Sequence, residues 1–302
     1  MTELPDRNHL PEWKKEMDRP RMKSLADLFP APKPIIGMVH LWPLPGAPGY
    51  TGYGMQKIID HALRDAEALI QGGVDGLAVE NMWDLPYYVG NDVKPEAMTA
   101  HAVAAAEVIK NFPVPVGINV IHNGGNVCLS IALASGARWI RVCILTGARV
   151  WDTGEFDHGC AAELMRKRKE LHADGIHIFA DVDKKHSVPF PGIDLRTHIE
   201  WTEFYGADAL IVSGKFTGSA PDVEKVREAK KLATRPILIG SGTSAENVAA
   251  FLQYADGIIV GSSLKKDGVM QNAMDVNRVR ALMANVLPVR EAAAARASTS
   301  RG

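Results

Sequence analysis

Eight short apolar runs punctuate the chain, each ending in polar or glycine residues and giving way to a stretch of helical periodicity. They are Ile35–Leu41, Gly76–Glu80, Pro115–Ile121, Trp139–Ile144, Ile176–Val182, Ala209–Ser213, Pro236–Gly240 and Gly257–Gly261. Parallel strands covered by helices on both faces read as continuous apolar runs rather than as alternating ones. Helices are predicted at Gln56–Gln71, Pro95–Asn111, Asn126–Ser135, Gly159–Ala173, Asp194–Tyr205, Asp222–Ala233, Ser244–Tyr254 and Asp275–Val286. Eight strand–helix alternations predict the α/β class and a single (β/α)8 TIM barrel over residues 35–287. In such a barrel the chemistry sits at the C-terminal strand ends, so the residues closing each run are the candidates for function.

Outside that frame the pattern is weaker. Residues 1–34 are charged and rich in proline, and read as an N-terminal arm that is disordered or packs on a neighbouring subunit, with a short helix at Pro11–Met17 or Ser24–Leu28. Residues 288–302 are rich in Ala, Ser and Arg and are expected to be a flexible tail. Two loops, Trp42–Met55 after the first run and Asn81–Lys94 after the second, are longer than a connection requires and suggest lids or binding elements.

A chain of 302 residues can bury a full core, and its net charge of −1 gives no drive towards nucleic acid or anionic membranes. Three cysteines without CxxC spacing argue against a disulfide framework or a structural zinc site and for a reducing, cytoplasmic compartment. No run is long enough to span a membrane, and no leader pattern opens the chain.

The most specific chemical signal lies in the last quarter. Gly240-Ser241-Gly242-Thr243 follows the seventh run and Gly261-Ser262-Ser263 the eighth. Glycines there let backbone N–H groups approach an anion, and the loops after strands seven and eight are the frequent phosphate site of these barrels. Gly240, Ser241, Gly242, Gly261, Ser262 and Ser263 are the expected phosphate cradle.

Acid and base candidates close the other runs. His40 ends the first and Glu80 the second, where an unpaired buried carboxylate would be costly. Asn119 lies within the third, as a neutral hydrogen-bonding group, and His122 just beyond it. Arg141, within the fourth, needs Glu80, Asp181 or an anionic substrate as its partner. Cys143 reads as an inert buried thiol. After the fifth run, Asp181-Val182-Asp183-Lys184-Lys185-His186 places Asp181 and Asp183 on one face by alternation. They offer acid/base pairs or oxygen ligands for a divalent cation; no other cofactor is indicated. Ser213 and Lys215 follow the sixth run, and Lys215 is open to phosphate contact, Schiff-base chemistry or plain exposure.

Taken together these stretches resemble the BtpA/SgcQ family. The resemblance rests on Gly37-Met38-Val39-His40-Leu41 with Pro43-Leu44-Pro45-Gly46, Glu80-Asn81 with Asp84 and Pro86, and Gly117-Ile118-Asn119-Val120. It continues through Ile140-Arg141-Val142, Asp181-Val182 with Lys185-His186, Ile211-Val212-Ser213-Gly214, Gly240-Ser241-Gly242 and Asp256–Lys265. It implies a ribulose-phosphate-binding-type barrel, in a family with one member linked to photosystem I biogenesis and another grouped with sugar-phosphate enzymes. The third strand end has Ile121-His122-Asn123 where the family pattern has Leu-Arg-Asn. The expectation is an enzyme acting on a phosphorylated small metabolite by isomerisation, epimerisation or lyase cleavage. Glu80, Asp181, Asp183, His186 and His40 would be catalytic, and Asn119, His122, Arg141, Lys185, Ser213 and Lys215 would bind substrate. The alternative is a non-catalytic assembly factor. A homo-oligomer is expected in either case, with neither nucleic acid nor a membrane span.

Overall fold

The computed structural model describes residue 22, residues 24–214 and residues 220–299. Eight parallel strands close a barrel: β1 (Ile35–His40), β2 (Gly76–Glu80), β3 (Val116–Asn119), β4 (Trp139–Val142), β7 (His177–Asp183), β9 (Ala209–Val212), β10 (Ile237–Ile239) and β11 (Gly257–Val260). Around the barrel they run β1-β11-β10-β9-β7-β4-β3-β2. Eight helices among the described residues surround it: α1 (Met55–Gly72), α2 (Pro95–Asn111), α3 (Gly125–Ser135), α4 (Ala161–Glu170), α5 (Leu195–Phe204), α6 (Val223–Leu232), α7 (Val248–Leu252) and α8 (Val276–Thr299). The chain is therefore a TIM barrel.

Local chemistry explains the element ends. α2 opens on Pro95, where a missing N–H costs nothing, and the Asp194 and Asp222 carboxylates accept the Thr197 and Glu224 N–H groups at 2.8 and 3.0 Å to cap α5 and α6. α1 stops at Gly73, in the left-handed region at φ 99°. The seventh helix is shorter than its periodicity predicts. The Asn247 side chain accepts the Ser244 N–H at 2.8 Å, so a turn occupies the segment expected to be the first helical turn.

Every residue of β1, β2, β3 and β4 is buried, as two-sided coverage demands. Alternate residues fill the barrel axis with Ile36, Met38, Ala78, Trp139, Phe179, Ile211, Leu238 and Ile259. Trp139 and Phe179 stack with ring centroids 4.7 Å apart. Gly117 faces them because a Cβ there would lie 2.1 Å from the Trp139 indole.

Two features exceed the expected frame. The end of the arm closes the barrel floor: Met22, Leu25, Leu28 and Phe29 join the axial cluster, and Ser24 caps a single 3-10 turn at Leu25–Asp27 in a capping box. At the opposite end three short strands, β5 (Ala148–Trp151), β6 (Phe156–His158) and β8 (Ser187–Pro189), form an antiparallel sheet ordered β6-β5-β8. It lies in the connections that leave β4 and β7. α8 runs on to Thr299, with Pro288 inside it, through the segment read as tail. Among the described residues no helix is long and apolar enough to cross a membrane.

Candidate active site at the barrel mouth

Register places the key side chains in one row. His40 pairs with Glu80, Glu80 with Asn119 and Asn119 with Arg141, across four adjacent strands. All four are at most 5 % exposed. The Asn119 amide donates to Glu80 Oε2, and His40 Nε2 lies 3.6 Å from Glu80 Oε1. Burial drives the His40 pKa down to about 4, so its ring is neutral at physiological pH, and its Nδ1 has no hydrogen-bond partner among the described residues. Burial also opposes the charge of Glu80, but His40, Lys185, Arg141 and Lys184 together outweigh it and hold the carboxyl below its usual range.

Arg141 selects Asp181. Its Nε and Nη2 donate to the two carboxylate oxygens at 2.9 and 2.8 Å, a bidentate pair, and Ser213 Oγ donates to Asp181 Oδ1 at 3.2 Å. Burial disfavours both charges; each group's charge outweighs it for the other, raising the arginine pKa and lowering that of the aspartate. Two strand-end glycines make this layer possible. A Cβ on Gly240 would lie 2.8 Å from Arg141 Nη2, and one on Gly261 would lie 2.9 Å from His40 Cε1.

Beside this row stands Lys185, half-buried and without a hydrogen bond or ion pair among the described residues. Burial and the neighbouring Lys184 depress its pKa to about 8, against the pull of Glu80.

The structure does not bring Asp183 into this group. A bulge between Asp181 and Asp183 breaks the alternation that the sequence predicts, and the Asp183 carboxylate meets Lys225 at 2.7 Å and Arg149 at 3.9 Å instead. His186 sits at the outer rim, with Nδ1 2.7 Å from Asp152 Oδ2, where it ties the β8 turn to the β5–β6 hairpin. No cluster of three or more His, Cys, Asp or Glu side chains able to hold a metal occurs among the described residues. Lys215 lies outside the described residues.

At the ends of β10 and β11 the candidate cradle is built from backbone. Gly242 takes a positive φ of 73°, the Asn247 amide donates to its carbonyl at 3.0 Å, and Ser263 Oγ donates to Thr243 O at 2.5 Å. The Gly242, Ser262 and Ser263 N–H groups have no acceptor among the described residues. Ser241 is turned towards its neighbour, accepting the Gly214 N–H at 3.4 Å.

Sequence reasoning missed the hairpin over the mouth. His122 stacks on Trp151 at 4.0 Å with 7° between the planes, and Tyr87 also tilts against His122, with ring centroids 4.9 Å apart. Burial lowers the His122 pKa to about 4. Asn123 clamps the hairpin: its Oδ1 accepts the Ile144 N–H at 2.8 Å and its Nδ2 donates to His158 O at 3.1 Å. Arg149 donates to Ser187 Oγ at 2.7 Å and orders the loop carrying Lys184 and Lys185. Beneath these elements is a cavity of about 470 Å³, walled by Met82, Tyr87, Ile121, His122, Trp151 and Lys185 among others. The signal that could have revealed the hairpin is Asp152-Thr153-Gly154 between two aromatic-bearing segments.

The family model of the BtpA family matches residues 31–287. A Synechocystis protein described as photosystem I biogenesis protein BtpA is 40 % identical over 262 residues, covering 86 % of this chain and 90 % of its own. Among solved structures, a tryptophan synthase chain of Mycobacterium tuberculosis superposes with a TM-score of 0.55 at 16 % identity, over 85 % of this chain and 92 % of that one. The 3-hexulose-6-phosphate synthase of Salmonella typhimurium gives 0.54 at 15 % identity, over 85 % and 99 %. At these identities the two structures speak for the fold alone.

Proposed function

The chain belongs to the BtpA family, and we propose that it is an enzyme that moves a proton within a phosphorylated small metabolite bound at the barrel mouth. The observation that carries this reading is the division of roles between the two carboxylates. Arg141 and Ser213 engage Asp181, whereas Glu80 keeps an ionised carboxylate between the Asn119 amide and a neutral His40. Glu80 then serves as the general base at a carbon next to a carbonyl. The Lys185 ammonium, present below about pH 8, donates to the oxyanion that develops. The Gly242, Ser262 and Ser263 N–H groups hold the phosphate and fix the reacting carbon, which converts binding energy into orientation. Isomerisation and epimerisation begin with this step; in an aldol-type lyase cleavage the same carboxylate would instead take the proton of the hydroxyl on the carbon that leaves. One structural neighbour is named for a phosphorylated sugar, in keeping with this reading.

The test is turnover against a panel of sugar phosphates and nucleoside phosphates. Glu80→Gln should lower kcat by about 10²–10⁴-fold while phosphorylated ligands still bind. Full activity in that variant on an identified substrate overturns the assignment. A homo-oligomer in the cytoplasm belongs to the same reading, and light scattering on purified protein reports the mass.

One observation favours a second reading, an assembly role. The outer face of the lid sheet is apolar and exposed: Val150 pairs in register with Phe156 and Val188, and Phe190 packs on Phe156 at 6.2 Å. Under that reading Phe156→Ser combined with Val188→Ser abolishes function in cells and Glu80→Gln does not. Under the catalytic reading the order reverses.

A further inference from the structure

The lidded cavity has a chemistry of its own. Its walls are Met82, Leu85, Pro86 and Tyr87 from the loop after β2, Ile121 and His122 after β3, and Trp151 from the hairpin. At about 470 Å³ it lies within the range of small-molecule sites. A bare sugar phosphate suits it poorly. Sugar hydroxyls project in all directions, and apolar walls would strip their water without replacing the hydrogen bonds. A flat ring with apolar faces suits aromatic and thioether walls. Asp152, Thr153, Glu155, Lys184, Lys185 and His186 also line the cavity and supply polar partners for the edge of such a ring.

Position adds an independent argument. In the order β1-β11-β10-β9-β7-β4-β3-β2, the pair β10–β11 stands across the barrel from the pair β4–β3. The backbone cradle is at the ends of the first pair. The aromatic cavity lies over β3 and the hairpin that follows β4. Glu80, His40 and Arg141 occupy the layer between them. A ligand that fills both ends must carry a phosphate at one end, a planar ring at the other, and its reactive carbons in the middle.

We propose that the lidded cavity is a ring subsite and that the ligand class is a sugar phosphate carrying a flat ring, for which nucleoside 5'-phosphates serve as probes. The inference rests on the phosphate cradle of the function proposed above, and the subsite adds the ring. Tyr87 is the wall group open to test. It is half-buried, whereas Trp151 is almost wholly buried and its indole N–H donates to Asp157 Oδ2 at 3.3 Å.

Calorimetric titration with five probes decides the matter: adenosine 5'-monophosphate, uridine 5'-monophosphate, ribose 5-phosphate, adenosine and uridine. Stacking on an aromatic wall should make at least one of the two nucleotides bind about tenfold tighter than ribose 5-phosphate. Tyr87→Leu should erase that advantage and leave ribose 5-phosphate affinity unchanged. Thr153→Trp, which narrows the cavity from the exposed hairpin tip, should do the same if Tyr87→Leu fails to fold. Equal affinity for ribose 5-phosphate and both nucleotides overturns the ring subsite while leaving the phosphate reading intact. Nucleosides binding as tightly as their phosphates would uphold the ring subsite and remove the cradle instead. Binding by none of the five overturns the proposal.

Discussion

At the scale of single residues the two carboxylates of the mouth should respond differently to neutralisation. Asp181→Asn removes one partner of a buried bidentate pair and leaves the Arg141 guanidinium uncompensated. Breaking such a pair costs about 3–5 kcal/mol, so urea unfolding should show a loss of that order. Glu80→Gln keeps an acceptor for the Asn119 amide and should unfold near the parent midpoint. Gly240→Ala should also destabilise, because its Cβ would lie 2.6 Å from Ser213 Oγ as well as close to Arg141. The histidines set an acid limit. Burial holds His40, His101 and His122 at pKa values of about 4, against about 6.5 in an unfolded chain. Between those values the unfolded state binds more protons, so stability should fall as pH drops from 6.5 to 4. Identical unfolding free energies at pH 7 and pH 5 would contradict this. His40, Glu80, Asn119 and Arg141 were legible in the sequence because a polar residue inside or at the end of an apolar run stands out. The choice that Arg141 makes between Glu80 and Asp181 was not, since it depends on Ser213 and on side-chain reach across the mouth. Nor was the bulge that turns Asp183 away, because alternation is the only guide a sequence offers there.

Among elements, the barrel strands were readable for one physical reason: helices cover both faces, so every position can be apolar. The lid sheet obeys the opposite rule. Its strands are three or four residues long, and their buried side carries Arg149 and Asp157 while the solvent side carries Val150, Phe156 and Val188. With two charges beside Trp151 on the buried side and hydrophobes outside, hydropathy masks the strands and leaves the Asp152-Thr153-Gly154 turn as the local signal. Asn123 holds this sheet to the barrel through Ile144, Asp157 and His158. Asn123→Ala should therefore speed amide exchange across Ala148–His158 and leave β1 and β2 protected, as mass spectrometry of exchanged peptides can show. Uniform acceleration throughout the barrel would mean that the lid and the barrel open as one unit.

For the molecule as a whole, the described end of the arm and the mouth sit at opposite ends of one hydrophobic axis. Phe29 is fully buried under the floor, Asp208 accepts the Met22 N–H at 3.2 Å, and the Arg235 guanidinium donates to Met22 O at 3.2 Å. Met22, Leu25, Leu28 and Phe29 thus belong to the barrel core, although their sequence lacks the period of a barrel strand or helix. Phe29→Ala should cost about 3–5 kcal/mol and leave ligand affinity at the mouth unchanged. A crystal soaked in ribose 5-phosphate shows whether this mouth anchors a phosphate ester with Glu80 at the reacting carbon. Phosphate density is expected within hydrogen-bond reach of the Gly242, Ser262 and Ser263 N–H groups, with the sugar carbons lying towards Glu80. Phosphate density elsewhere on the molecule, or an empty mouth at a concentration that saturates binding in solution, would contradict it.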